Sequence, residues 1–264
     1  MPSINRPDGA GLHWESRGDG PVVLLAHHTL WSHPAIYGGL LEDLARDHRV
    51  VVYDPRGCGA SDRNGPFDPQ TDADDLLAVV QAAGGSAAAI GIGDGFNRAV
   101  RAAFADPETV SEVFAVVPAA ATVLPRSELQ GSGVMAASEG VIEMILKLLE
   151  TDPRAAMRTL ITVANPELDE QQLRERVELV ADYLSLDAAT ERARAWLEDD
   201  VSKETAALGE RLWILHGSTE QLFEGALEAR VVELFPKAHI EEIGGGAISR
   251  PELVAAAVRG VRRS

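Results

Sequence analysis

The sequence predicts an α/β protein with a mostly parallel central sheet, helices on both faces and an inserted helical cap. Two observations lead to this prediction. Short apolar runs alternate with helical patterns up to about residue 117 and again after residue 210, which is typical of a parallel sheet covered on both faces. Between these parts, residues 124–208 contain helical patterns and no good strand.

The N-terminal part supplies the first strands. Residues 11–16 alternate well enough to form an edge strand. Residues 22–26 and 49–53 are nearly continuous apolar runs, as expected for strands that are buried on both faces. A helix with one apolar face is predicted between these two runs, over residues 35–47.

The same alternation continues toward the middle of the chain. A helix is predicted over residues 71–83, where Thr71 can cap the first turn and nearby aspartates suit the positive end of the dipole. The apolar run at 87–92 predicts a buried strand, and a helix follows from Phe96. A further strand is predicted at 113–117.

The C-terminal part resumes the sheet after the helical stretch. Strands are predicted at 211–215 and 239–243, and helices at 225–234 and 251–262. We therefore expect a core domain made of residues 1–123 and 209–264, with residues 124–208 as a helical cap insertion.

Three glycines mark the junction between the strand at 87–92 and the helix that follows it. A buried strand, a sharp turn and a helix form a nucleophile elbow, whose pattern is glycine, any residue, nucleophile, any residue, glycine. The flanks are glycine because the nucleophile sits in a strained turn where strand and helix lie close together. Gly91 and Gly95 fill both flanks, but the central residue is Gly93, which has no side chain that can attack a substrate.

Composition excludes several classes of function. The chain has 264 residues and a net charge of −17, which argues against nucleic acid and anionic membrane as partners, because both repel an acidic surface. Its one cysteine, Cys58, excludes an intramolecular disulfide framework and a cysteine-rich zinc site. We find no signal peptide and no apolar run of transmembrane length, and so expect a cytoplasmic protein. No metal-type spacing occurs, and we expect neither metal nor cofactor.

Taken together, four features make the chain similar to the α/β-hydrolase superfamily over nearly its full length. They are the apolar strand that leads to His27, the run DPRGCGASD at residues 54–62, the glycine elbow, and the strand that ends at Leu215-His216-Gly217. The resemblance implies the fold stated above and an activity on small molecules. It also implies where the catalytic residues of the family would stand in this chain.

At those positions the chain departs from the family pattern. The resemblance places the nucleophile at Gly93, the acid at Glu220 and the histidine near Ile248, so two of the three groups are absent. It places the backbone donors that bind an oxyanion at Thr29 and Asp94. The glycine that the family has after its first histidine is His28 here.

Acyl transfer needs a nucleophile, a base and oxyanion donors, and Gly93 and Ile248 supply neither of the first two. Ordinary serine-type hydrolysis is therefore not expected. Two alternative nucleophiles stay open: Asp94, if the elbow is shifted by one residue, and Cys58, whose simpler interpretation is a partly buried thiol.

Asp94 is the most informative polar residue that remains. Beside the absent nucleophile its carboxylate can act as general base or acid, or it can simply cap the helix that follows. His28 can pair with Asp94 or Glu220 as an acid–base dyad, or it can be an ordinary loop histidine. We therefore name Asp94, His28 and Glu220 as candidate catalytic residues. The candidate ligand-contacting residues are Thr29, Trp31, Gly93, Phe96 and Ile248.

Three functions are compatible with this pattern. The first is a non-hydrolytic enzyme that carries out elimination, isomerisation or cyclisation of an apolar small molecule by acid–base chemistry, for example in bacterial secondary metabolism. The second is a protein that binds a small molecule or a partner without catalysis. The third is an unorthodox hydrolase that uses Asp94. The sequence leaves the substrate and the oligomeric state open.

Overall fold

The computed structural model describes residues 2–30, 32–116, 124–129, 133–164, 168–216, 226–244, 248 and 250–261. Within them, eight strands form a single sheet. The strands are β1 (Ser3–Asn5), β2 (Gly11–Arg17), β3 (Val22–Ala26), β4 (Arg49–Tyr53), β5 (Ala87–Gly91), β6 (Val110–Val116), β7 (Leu212–His216) and β8 (His239–Glu242).

The order of the strands confirms the predicted parallel sheet. Across the sheet the order is β1-β2-β4-β3-β5-β6-β7-β8. The pairs β1/β2 and β2/β4 are antiparallel, and every other neighbouring pair is parallel. The parallel strands therefore all end at one edge of the sheet, and the turns that follow β3 and β5 meet there.

The helices connect these strands. They are α1 (Gly38–Leu44), α2 (Pro69–Ala83), α3 (Asp94–Ala105), α4 (Arg126–Leu129), α5 (Gly133–Thr151), α6 (Pro153–Ala164), α7 (Glu170–Tyr183), α8 (Leu186–Glu198), α9 (Ser202–Leu208), α10 (Ala226–Leu234) and α11 (Pro251–Val261). Short 3-10 helices precede α1 at Pro34–Tyr37 and β7 at Gly209–Arg211. No helix of the described residues is long and apolar enough to cross a membrane.

Side chains of the sheet pack into two separate layers. Along β3, Leu24 and Ala26 belong to a cluster that includes residues of α2 and α3. Val23 and Leu25 belong to a second cluster, with residues of α1 and α11. This division follows from the two-residue period of a strand, which sends successive side chains to opposite faces.

Several elements differ from the sequence-based expectation: the helix predicted over residues 35–47 is a 3-10 helix at Pro34–Tyr37 followed by α1, and α2 and β1 differ as follows. Helix α2 begins at Pro69 and is capped by Asp68 rather than by Thr71, because the Asp68 carboxylate accepts bonds from the backbone N–H groups of Gln70 and Thr71, both at 3.0 Å. A proline fits the first helical position because its N–H would have no partner there. The short strand β1 was not predicted, since three residues carry too little pattern.

The helices between β6 and β7 form the segment that we call the cap, residues 124–208. Its apolar side chains make a third cluster, drawn mainly from α5 to α8. Three residues of the core join this cluster: Leu30, Cys58 and Phe67. The loop after β3 is therefore fixed by the cap as well as by the sheet.

Candidate functional site

The turn between β5 and α3 has the geometry of a nucleophile elbow centred on residue 93. Gly93 has φ +58° and ψ −127°, in a region that only glycine enters easily. A Cβ at Gly91 would lie 2.5 Å from Cα of Phe96, and a Cβ at Gly95 would lie 1.8 Å from the carbonyl oxygen of Ala26. Both flanks therefore require glycine, and the turn is centred on residue 93 and not on Asp94.

His28 occupies the space beside Gly93. A Cβ at position 93 would lie 1.8 Å from Cδ2 of His28 and 2.7 Å from Cγ. The His28 side chain is 1% exposed, and the Leu30 N–H donates to its Nδ1 at 3.0 Å. The imidazole thus stands where the side chain of a residue at 93 would begin, so the two cannot be present together without rearrangement.

The carboxylate of Asp94 is held by several groups. It accepts from the backbone N–H of Thr29 at 2.8 Å, from the Thr29 hydroxyl, and from Nη1 of Arg98 at 2.9 Å. Its Oδ1 also lies 3.1 Å from Nδ1 of His28, which places together the pair that the sequence led us to consider. The side chain makes no capping bond to α3, so the helix-cap alternative is wrong.

The surroundings decide the charge of Asp94. Burial favours the neutral acid, but the charge of Arg98 and the hydrogen bonds from Thr29 outweigh it and hold the pKa of Asp94 well below its usual value. At neutral pH this carboxylate has no proton to give and little affinity for one. This charge state disfavours a role for Asp94 as general acid or base, and the catalytic role expected from the sequence stays a prediction.

His28 is uncharged at neutral pH. Burial lowers its pKa from 6.5 to about 4, although the neighbouring Asp94 carboxylate acts in the opposite direction. A neutral imidazole can still move a proton, but with a low basicity.

The backbone N–H of Thr29, which the resemblance assigns to oxyanion binding, already has an anionic partner. The Asp94 carboxylate bonds it at 2.8 Å. A substrate oxyanion would have to displace a carboxylate that Arg98 also holds. This arrangement is unfavourable for acyl transfer, which depends on a free and preorganised donor.

A cavity of about 30 Å³ is lined by Asp94 and Arg98 together with residues of α2 and α8, among them Asp72 and Arg192. Between the described residues this cavity has room for about two water molecules, far less than the roughly 300–1,000 Å³ of a pocket for a drug-sized ligand.

The remaining candidates are placed as follows. Phe96, expected to contact a ligand, is fully buried in the core cluster on the α2 and α3 side of the sheet. Ile248 is 37% exposed. Trp31 and Glu220 lie outside the described residues. Sequence reasoning missed Arg98, although its position four residues after Asp94 on a predicted helix was the available signal.

Comparison with known proteins gives matches in structure only. No protein-family model matches the chain, and no curated protein matches it. An esterase from Exiguobacterium antarcticum is similar with a TM-score of 0.80 at 19% identity, with 99% of each chain covered. A bromoperoxidase from Bacillus anthracis has a TM-score of 0.77 at 16% identity, with 97% of this chain and 96% of its own covered.

An enol-lactonase from Burkholderia xenovorans LB400 has a TM-score of 0.74 at 16% identity, with 99% of this chain and 98% of its own covered. These likenesses extend over the whole chain, the cap segment included. With the strand order and the glycine turn described above, they establish that the chain has the α/β-hydrolase fold.

Proposed function

We propose that the protein binds a small molecule and does not carry out the covalent hydrolysis for which this fold is best known. The observation that carries the absence of covalent hydrolysis is the His28 ring, whose Cδ2 lies 1.8 Å from the point where a side chain at position 93 would begin. A nucleophile at the turn is absent from the sequence and is also excluded by its neighbour. The sequence supplies no histidine near Ile248 that could serve as its base.

The polar groups around the turn support the same proposal. Thr29 and Arg98 both bond the carboxylate of Asp94, and His28 lies against it. The Asp94 carboxylate is thus held by groups of the protein itself, as in a structural network, whereas catalysis needs such groups available to a substrate. The structurally similar proteins include an esterase and an enol-lactonase, which favours a small molecule as the ligand.

A thermal-shift screen of small apolar acids, esters and lactones tests this function. We expect at least one compound to raise the melting temperature in a saturable way, because a ligand that binds only the native state stabilises it. Mass spectrometry of the same mixtures should detect no product beyond that formed with denatured protein. Turnover of a bound compound would contradict the proposal.

A second candidate is a non-hydrolytic enzyme, which one observation favours: the 3.1 Å contact between His28 Nδ1 and Asp94 Oδ1. Because Nδ1 accepts from the Leu30 N–H, neutral His28 carries its hydrogen on Nε2; a proton gained by the ring goes to Nδ1, where the Asp94 carboxylate would stabilise the imidazolium. In this function His28 would be the base and Asp94 its partner. Loss of product formation in both His28→Gln and Asp94→Asn, with ligand binding retained, would support it, and unchanged turnover in either would exclude it.

A further inference from the structure

One set of polar contacts joins the cap to the core around the loop after β4. On the cap side it is formed by the end of α7 and by α8. We call this set the clamp and define it by Tyr183, Ser185 and Arg192 of the cap with their partners in the core.

Tyr183 is the first part of the clamp. Its hydroxyl donates to Oδ1 of Asp54 at 2.9 Å and lies 3.1 Å from Nε2 of His27. The ring of His33 also packs edge-on against the Tyr183 ring, with centroids 4.5 Å apart. Since the phenol hydrogen goes to Asp54, His27 must donate its Nε2–H to the phenol oxygen. Tyr183 thus joins the cap to the ends of two strands.

The second part is a pair of backbone bonds. The N–H of Ser185 donates to the Gly57 carbonyl at 2.7 Å, and the N–H of Gly59 donates to the Tyr183 carbonyl at 2.8 Å. The approach is so close that a Cβ at Gly57 would lie 2.4 Å from Cβ of Ala188. Gly57 is therefore needed where the cap rests on the core.

Arg192 is the third part. Its Nε and Nη2 donate to the two oxygens of Asp72 at 2.9 and 2.7 Å, and its Nη1 donates to the Arg56 carbonyl at 2.9 Å. The side chains of Arg192 and Asp72 are 4% and 6% exposed. Separating a buried, bidentate ion pair of this kind leaves two uncompensated charges, which is strongly unfavourable.

We propose that the clamp keeps this side of the cap on the core until the whole chain unfolds, so that the cap is not a lid that lifts during ligand exchange. Opening would expose Tyr183, Arg192 and Asp72 at once, and would break both backbone bonds in the same step. The clamp also reaches the turn described above, because the carbonyl of His27 accepts a bond from Arg98, which holds Asp94. The proposal does not depend on which ligand the protein binds.

Hydrogen exchange on the intact chain at low urea concentrations tests the clamp. We expect the amides of Gly59 and Ser185 to exchange only through global unfolding, with the same urea dependence as the amides of β3 and β5. Exchange of Gly59 and Ser185 through an earlier, smaller opening would overturn the proposal. This experiment uses the unaltered protein, so its result does not depend on whether a variant folds.

A matched pair of variants tests the part played by Tyr183. In Tyr183→Phe we expect the protection of Gly59 and Ser185 to fall by about tenfold or more relative to β3 and β5, because a hydroxyl that bonds both Asp54 and the buried His27 is lost. Tyr53→Phe is the control, since the Tyr53 hydroxyl is buried and has no hydrogen-bond partner in the described part of the chain. Equal protection in the two variants would exclude Tyr183 from the clamp.

Discussion

The residue that most changes the chemistry of this fold is His28. Its ring lies against Gly93 at the carboxyl edge of the sheet, and its Nδ1 contacts the Asp94 carboxylate. A side chain on one of the two residues leaves no room for a side chain on the other. Residues 28 and 93 are therefore sterically coupled. A larger side chain at position 93 is expected to preserve stability only if His28 is replaced by a smaller residue.

Replacement of Gly93 by serine should destabilise the protein by about 2–4 kcal/mol, from the clash with His28 and from the positive φ. The double variant Gly93→Ser/His28→Gly should recover at least half of this loss, because the ring that causes the clash is gone. Urea unfolding of the two variants and the unaltered protein measures both effects. A single variant as stable as the unaltered protein would show that His28 moves aside freely.

Acid should destabilise the protein through the same histidine. The pKa of His28 is about 4 in the folded state and 6.5 when unfolded, so the unfolded chain binds more protons between these values. The contribution of His28 to the free energy of unfolding is therefore largest above pH 6.5. It decreases by up to about 3 kcal/mol as the pH falls toward 4. His27, whose pKa burial also lowers, adds to this slope. The variant His28→Asn should show a shallower dependence in urea unfolding between pH 7 and 4; an unchanged slope would contradict the assignment.

At the scale of elements, the turn from β5 into α3 fixes the site. The strand ends at Gly91 and the helix starts at Asp94, so two residues reverse the chain against the end of β3. The sequence was sufficient to identify this turn and its centre, because the spacing of Gly91, Gly93 and Gly95 reports a steric requirement. It could not show that the His28 ring fills the same space, since the contact joins residues 65 positions apart.

Alanine substitutions at two glycines, one at the turn and one within a helix, test whether the turn requires glycine for steric reasons. Gly95→Ala should fail to fold or lose more than about 3 kcal/mol, because its Cβ would lie 1.8 Å from the backbone carbonyl of Ala26. Gly140→Ala, within α5, should stabilise the protein by about 0.5–1 kcal/mol, since a Cβ there meets nothing within 4 Å. Circular dichroism during thermal unfolding compares them, and similar effects of the two would refute the steric account of the turn.

In the whole molecule, a single sheet carries two core layers and a cap with its own apolar cluster. Short apolar runs and the alternation of strands and helices were enough to predict this architecture. The contacts that attach the cap were not predictable in the same way. Tyr183 and Arg192 meet residues 129 and 120 positions away, and no local pattern reports such a pairing.

The attachment of the cap leads to a prediction for the Arg192–Asp72 pair. Arg192→Met alone should cost about 3 kcal/mol or more, because Asp72 is left buried and uncompensated. The double variant Arg192→Met/Asp72→Leu should be less destabilised than Arg192→Met, since no unpaired charge remains. Urea unfolding measures both, and a double variant that loses the sum of the two single effects would contradict this account of the pair.

The most direct test of the central claim is the intact mass of the folded protein after incubation with a fluorophosphonate, which modifies activated serine nucleophiles. Because residue 93 has no side chain and the His28 ring fills the space beside it, we predict an unmodified mass, equal to that of a urea-denatured sample treated in the same way. One stoichiometric adduct formed only by the folded chain would show an activated nucleophile and contradict the claim.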